Sequence, residues 1–539
     1  MRKYLIITAC LLPLLTQAQQ PKLVVGVVVD QMRYDYLTRF WDRYGDQGFK
    51  KIINNGFNCK NTHYNYMPTY TAPGHASIYT GTTPENHGII ANTWFDKTTN
   101  TLVYCTSDNT MTTVGSTSEY GKMSPHRLIS TTMTDELKLA TNSKGKVIGI
   151  SIKDRGAILP AGHRADAAYW FEGGASGKWI SSSYYNQQLP EWLTKLNDSK
   201  PAEKYLNQSW ETLYPISSYT QSISDNNPYE VLFKTEKQPV FPHNLPALRD
   251  SNDNYSLIKS TPFGNTILKE LAMATIENEK LGQDAYTDFL AVSFSSPDYI
   301  GHQFGPMSVE VEDTYLRLDK ELAELLSFLE KKVGKENFLL FLTADHGAVN
   351  VPQYLTDNHL PGGYFNEGLL EMELNTFLSK KFNVEGLVAN TSNFQVFLNN
   401  SLIQANNWNT ALIENAVAEF LLQQEGIAKV ITSNALRETE LTDRIMANAQ
   451  RGFNPSRSGN ILYILESGWI PSVSHQGTTH GSPYNYDTHV PLLWYGSKVK
   501  KGETDKLVVI PDIAATVSSL INIQFPSACT GQPINDLIK

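Results

Sequence analysis

Cysteine is scarce in this chain, with four in 539 residues, and one of them, Cys10, lies in the N-terminal leader. Cys59, Cys105 and Cys529 are too few and too scattered for a disulfide scaffold or a thiolate metal site, though one bridge among them stays open. Beyond the leader no apolar run is long enough to span a bilayer, so no membrane span is expected. Internal repeats and low-complexity tracts are lacking, as is any excess of positive charge. The net charge of −9 provides no general field for phosphates, so nucleic acid is not expected as a dedicated partner. What remains is 41% hydrophobic, a globular composition, in a chain too long for one simple core.

The first 20 residues, MRKYLIITACLLPLLTQAQQ, have a basic start, a short apolar stretch and a small-residue exit. This is the pattern of a signal peptide, residues 1–18, cleaved near Ala18, and it predicts a periplasmic or secreted protein. Ile-Thr-Ala-Cys10 has some likeness to a lipoprotein box, but the apolar run continues past the cysteine.

Four segments share one form. KLVVGVVVD (22–30), TDFLAVSFSSPD (287–298) and NFLLFLTADHG (337–347) are apolar runs that end in acidic residues. KVIGISIKDRG (146–156) ends in Lys153 and Arg155. Continuous apolar runs are typical of strands buried on both faces. Helical patterns lie between them, among them 311–334, whose leucines fall on one stripe. Alternating strands and helices predict an α/β fold with a mostly parallel central sheet flanked by helices. Ligands of such sheets bind outside the carboxyl ends of the strands, where these polar residues fall. Residues 157–283 and 352–478 break the rhythm and read as inserted cap or side subdomains. Core segments are then 19–156, 284–351 and 479–539.

Asp30, Asp298, His302, Asp345, His346 and His480 are candidate metal ligands, since carboxylate and imidazole suit zinc where cysteine is absent. Taken singly, an Asp at a strand end is an ordinary cap or turn residue. Their convergence is what distinguishes them. Two carboxylates ~4 Å apart repel by roughly 4 kcal/mol at an effective dielectric near 20, so three at one sheet edge call for cations or for protons. A pair of divalent ions would resolve the conflict and suits in-line displacement at phosphorus. Thr71, in PTYTAPGHASIYTG, has a bland reading as an N-cap, with Pro73 in the first helical turn. At a helix N-terminus beside metals it is also placed to act as a nucleophile. Lys153 and Arg155, two apart at a strand end, match a monoester's two negative charges better than a diester's one.

Taken together and in order, Asp30, PTYTAPGHASIYTG, GIIANTWFD, IKDRGAILPAG, SPDYIGHQFGP, TADHG and THGSPYNYD resemble the alkaline phosphatase superfamily. Within it the chain is similar to the branch with a nucleotide pyrophosphatase/phosphodiesterase-type core, and there to the flavobacterial-type phosphatases with a threonine nucleophile. The resemblance covers nearly all of the chain after the leader. It implies an alkaline phosphatase that hydrolyses small phosphate monoesters through a phosphothreonine on Thr71, with two Zn²⁺ per chain. Asp298, His302 and His480 would hold one zinc; Asp30, Asp345 and His346 would hold the other, which Thr71 also contacts. Asn92, Lys153 and Arg155 would bind the phosphoryl group.

Manganese and cobalt accept the same ligands. A phosphodiesterase or nucleotide pyrophosphatase on the same site is the competing activity, and a binding protein with a vestigial site is the non-enzymatic one. A sulfatase is disfavoured, because Thr-Ala-Pro-Gly-His lacks the Cys/Ser and the Arg of the sulfatase pattern. His75, His87, His163 and His489 read as packing or supporting residues. Nothing demands a partner chain, and a monomer is expected.

Overall fold

The structure is a computed structural model and describes residues 20–538. The leader expected at 1–18, Cys10 included, lies outside the described residues. The main sheet has ten strands: β1 Leu23–Val29, β2 Phe57–Cys59, β3 Thr113–Val114, β4 Val147–Ser151, β5 Ala167–Glu172, β6 Lys178–Ser182, β7 Asp288–Phe294, β8 Phe338–Thr343, β9 Leu492–Gly496 and β10 Gly502–Thr504. Their order across the sheet is β10-β2-β9-β8-β1-β7-β4-β5-β6-β3. The central run β8-β1-β7-β4-β5 is parallel throughout, so its carboxyl ends share one edge. The four segments expected to deliver Asp, His, Lys and Arg are four adjacent strands of that run.

Every residue of β1, β7 and β8 is buried, as strands covered on both faces require. The helix α1, Thr71–Thr80, is buried along its whole length, and its Tyr79 reaches β1. Gly26 allows this approach, since a Cβ there would stand 2.4 Å from Tyr79 Oη. The helix α2, Asp154–Ala161, follows β4 directly, and a Cβ on Gly149 would meet Ala157 O at 2.2 Å. The helix α3, Ser296–Phe304, follows β7, and α4, Val309–Lys332, is the long leucine-striped helix read from the sequence.

The stretch 157–283 contains more than a cap. Residues 167–182 form β5 and β6 and extend the main sheet, with antiparallel pairing only from β6 outward. Its aromatic composition concealed this: AAYWFE is a fully buried strand built from Tyr, Trp and Phe rather than Val and Leu. Within 352–478 a separate four-stranded sheet orders Val388–Ser392, Gln395–Leu398, Ile461–Leu465 and Ile427–Thr432, with a hydrophobic cluster of its own. The turn between its first two strands puts Asn393 and Phe394 at positive φ, an unusual conformation for a phenylalanine. Phe394 stacks on Tyr70, the neighbour of Thr71, with ring centroids 6.4 Å apart.

Cys59, Cys105 and Cys529 are unpaired. Among the described residues no helix is long and apolar enough to cross a membrane.

Candidate active site

Thr71 is the first residue of α1, and its side chain does not cap the helix. The cap position falls to Tyr70. An N–H of the first turn, that of Ala72, is met instead by Asn92 Oδ1 at 2.8 Å. This corrects the bland reading of Thr71. The bond engages the amide oxygen of Asn92 and leaves its NH₂ donors. The Thr71 hydroxyl is turned to the sheet edge, 3.5 Å from both His346 Nε2 and Lys153 Nζ.

Around that hydroxyl the parallel strands bring together two sets of ligand atoms, each within 4.8 Å: Asp30, Asp345 and His346, and Asp298, His346 and His480. His346 thus belongs to both sets. His302 adjoins the second, its Nε2 3.1 Å from Asp298 Oδ1. The histidines share a tautomer. His302 Nδ1 donates to Thr478 O at 2.7 Å, His346 Nδ1 to Gly347 O at 3.0 Å and His480 Nδ1 to Thr69 O at 2.6 Å. A carbonyl only accepts, so Nδ1 carries a proton in each, and His346 and His480, whose basicity burial lowers, turn a lone pair at Nε2 toward the carboxylates. Lone pairs facing carboxylate oxygens repel unless a cation or proton lies between them. Asp30 Oδ1 and Asp345 Oδ2 are buried with no hydrogen-bond partner. Orphaned oxygens, neutral imidazoles and the absence of thiolate fit a divalent ion of zinc type.

The charges tell the same story. Burial pushes the Asp30 carboxyl up to about 6, with repulsion from Asp298 adding to it and Lys153 opposing it. Burial, then Asp30, pushes Asp345 well above the usual carboxylate range. Burial also acts on Asp298, but His302 and Lys153 outweigh it and hold that carboxyl well below the usual range. Burial, helped by a neighbouring histidine in each case, lowers His346 well below its ordinary value and His480 to about 3. His302 is raised, because Asp298 overcomes its burial.

The Lys153 ammonium bridges the two sets, 2.6 Å from Asp30 Oδ2 and 2.6 Å from Asp298 Oδ2. Burial lowers its pKa and these carboxylates more than offset that, so it stays charged. Arg155 approaches from the same strand end, its Nη1 donating to Tyr104 Oη at 3.0 Å. Tyr104 in turn donates to Asp154 Oδ1 at 2.8 Å. Arg155 Nε is buried without a partner. All ten residues singled out in the sequence therefore lie in one place. The supporting readings of the other histidines match their contacts. His75 holds Thr71 O and Ser293 Oγ, His87 holds Ser77 Oγ, His163 holds Asp135, and His489 holds Lys60 O.

Two residues of the site were not singled out. Tyr104 carries no motif. Gln31 follows Asp30 with φ of 63° and is buried. Its N–H donates to Asp345 Oδ1 at 3.1 Å and its Nε2 to Asp298 Oδ1 at 2.8 Å, so one residue ties a carboxylate of each set. Left-handed backbone at a non-glycine residue is a strain that persists where the surroundings fix it. Gln31→Leu is expected to weaken divalent-metal binding by roughly 10- to 100-fold, measured by competition with a chromophoric chelator. An unchanged affinity would mark the Asp298 bond as incidental.

Residues 24–489 match the family of type I phosphodiesterases and nucleotide pyrophosphatases. The chain belongs to that family. Alkaline phosphatase PhoV of Synechococcus elongatus is 47% identical over 522 residues, 96% of this chain and 93% of that protein. A Myroides odoratus protein named calcium-transporting ATPase is 46% identical over 524 residues, 97% of this chain and 95% of that protein. The crystal structure of wild-type alkaline phosphatase PafA superposes with a TM-score of 0.94 at 42% identity, over 97% of this chain and all of that one.

Proposed function

We propose that this chain is an alkaline phosphatase, a phosphoric monoester hydrolase that passes the phosphoryl group through Thr71. One observation carries the reading. A buried threonine hydroxyl, not used as a helix cap, stands 3.5 Å from a lysine ammonium at the meeting point of two carboxylate–imidazole sets. Two relatives similar over the whole chain are named alkaline phosphatases, and ATP hydrolysis, the chemical half of the third relative's name, is also phosphoryl transfer.

Asp298, His302 and His480 would hold one Zn²⁺, and Asp30, Asp345 and His346 the other, with His346 within reach of both. Bound there, the ions would supply positive charge to the attacking and departing oxygens. The chain's own groups do the rest. Thr71 gives its proton to solvent water and attacks phosphorus in line, forming a phosphothreonine as the P–O bond to the organic group breaks, and the departing oxygen takes a proton from water and leaves as the alcohol. The N-terminus of α1 offers positive potential at the new ester. Asn92 donates from its NH₂, and Arg155, steadied by Tyr104, donates to the equatorial oxygens, where transition-state charge gathers. With Asp30 and Asp298 engaged as metal ligands, the Lys153 ammonium that they hold here would be free to meet the same charge. Water then attacks the phosphothreonine, the bond from Thr71 Oγ1 to phosphorus breaks, inorganic phosphate leaves and a proton from the water restores the hydroxyl. All these residues come from one chain, so the chemistry asks for no partner subunit. The leader sequence supports action in the periplasm or outside the cell.

The competing diesterase shares the metals but not the need for two cations. A diester has one charge and one equatorial oxygen fewer, so contacts to Lys153 or Arg155 are lost. Each charge-assisted hydrogen bond is worth about 1.5–3 kcal/mol, so a monoester is expected to outrun a diester with the same leaving group by roughly 10² or more in kcat/KM. Hydrolysis of 4-nitrophenyl phosphate and its bis-ester measures this. Preference for the bis-ester would move the assignment to the phosphodiesterases.

A further inference from the structure

A cavity of about 210 Å³ opens beside the proposed phosphoryl site and is not used by the chemistry above. Lys153 and Arg155 form part of its wall, with Tyr299, the residue after Asp298. Lys153 Nζ lies 3.5 Å from Thr71 Oγ1 and 5.1 Å from the centre of the Tyr299 ring, so two residues of the cavity wall adjoin the surroundings of the hydroxyl. Its lining also includes Glu172, at the end of β5, with Asp253 and Lys259. Glu172 is 6% exposed, and its Oε2 is buried with no hydrogen-bond partner. A buried acceptor left unmet is costly, and such groups in native proteins call for an explanation.

We infer that this cavity is a subsite for the organic group of the substrate and is built for a hydroxyl-bearing one, a sugar or polyol phosphate. The inference rests on the monoesterase reading and extends it to the substrate class. The volume is below the ≈ 300–1,000 Å³ of pockets that enclose drug-sized ligands, so the compartment takes a small group. Its charges select the kind of group. Glu172 and Asp253 repel a second phosphate. Lys259, with Lys153 and Arg155 on the adjoining wall, disfavours a cationic amine. A purely apolar group would leave the Glu172 carboxylate without a donor. A hydroxyl can donate to the carboxylate and accept from the ammonium, and so suits both.

The test uses the full-length, zinc-loaded enzyme and three monoesters: glucose 6-phosphate, ethyl phosphate and phenyl phosphate. The wild type is expected to prefer glucose 6-phosphate to ethyl phosphate. In Glu172→Ala, kcat/KM for glucose 6-phosphate should fall by roughly 10- to 100-fold, the range for losing a specific substrate contact, with phenyl and ethyl phosphate held within about twofold. Glu172→Gln, nearly isosteric and still an acceptor, should fall less, and Lys259→Ala should reproduce the selective loss. Equal losses on all three esters, or no selective loss in either Glu172→Ala or Lys259→Ala, would overturn the subsite. Wild-type enzyme inactive on all three esters would instead overturn the phosphatase reading, and the subsite with it.

Discussion

Thr71→Ala is expected to lower kcat by about 10⁴- to 10⁶-fold, the scale seen when a covalent nucleophile is removed and binding groups remain. Thr71→Ser, which keeps the hydroxyl, should lose about tenfold or less, because only the γ-methyl group and its hold on the rotamer are gone. The structure makes the stability arm equally informative. Were Thr71 the N-cap, alanine would cost about 1 kcal/mol of stability and leave turnover intact. Its side chain caps nothing and the first-turn Ala72 N–H is bound by Asn92, so the melting temperature should barely move while activity collapses. Steady-state kinetics on a monoester, thermal melts of the three proteins and acid-quenched mass mapping of the peptide 68–81 decide the matter. Phosphate should appear on residue 71 in the wild type and the serine variant. Thr71→Ala turning over within tenfold of wild type would end the proposal.

The fold was legible because the central strands are buried on both faces and read as unbroken apolar runs, each ending at its functional residue. Parallel pairing then brings Asp30, Lys153, Asp298 and Asp345 to one edge, although they are up to 315 positions apart in sequence. What stayed hidden depends on backbone geometry or on aromatic disguise. Strand β5 is written in Tyr, Trp and Phe and passed for part of an insertion. Gln31 works through a left-handed φ that no glycine announces, and Tyr104 through one hydroxyl between Asp154 and Arg155. The tautomers of His302, His346 and His480 are set by carbonyls of Thr478, Gly347 and Thr69, and a carbonyl leaves no trace in a sequence. The pairing of ligands was only partly readable for the same reason. Adjacent letters at 345 and 346 imply one metal set, yet the imidazole of His346 stands in both.

Removing the metals should cost at least about 10³ in kcat/KM, since ions that polarise both reacting oxygens contribute several kcal/mol. The purified enzyme is expected to carry two equivalents of divalent metal per chain. Dialysis against a chelator should abolish hydrolysis, and zinc should restore it. The pH dependence follows from Asp30. In the stripped protein, burial and Asp298 hold its carboxyl at about 6, above the ordinary 3.8. A folded pKa above the unfolded one means the folded chain binds this proton more tightly. That contribution to stability is fully present below 3.8 and is lost as pH rises through about 6. Asp345 shifts in the same direction. The stripped site is therefore eased by protons in acid and strained by bare, mutually repelling carboxylates above neutrality. Metal binding requires those carboxylates unprotonated, so protons and zinc compete for the site. The rise in melting temperature on adding zinc should then be larger at pH 8 than at pH 5, and activity should fall in acid together with metal content. A gain that is the same at both pH values, or a stripped enzyme retaining a tenth of its activity, would mean that the buried carboxylates answer to something other than a metal pair.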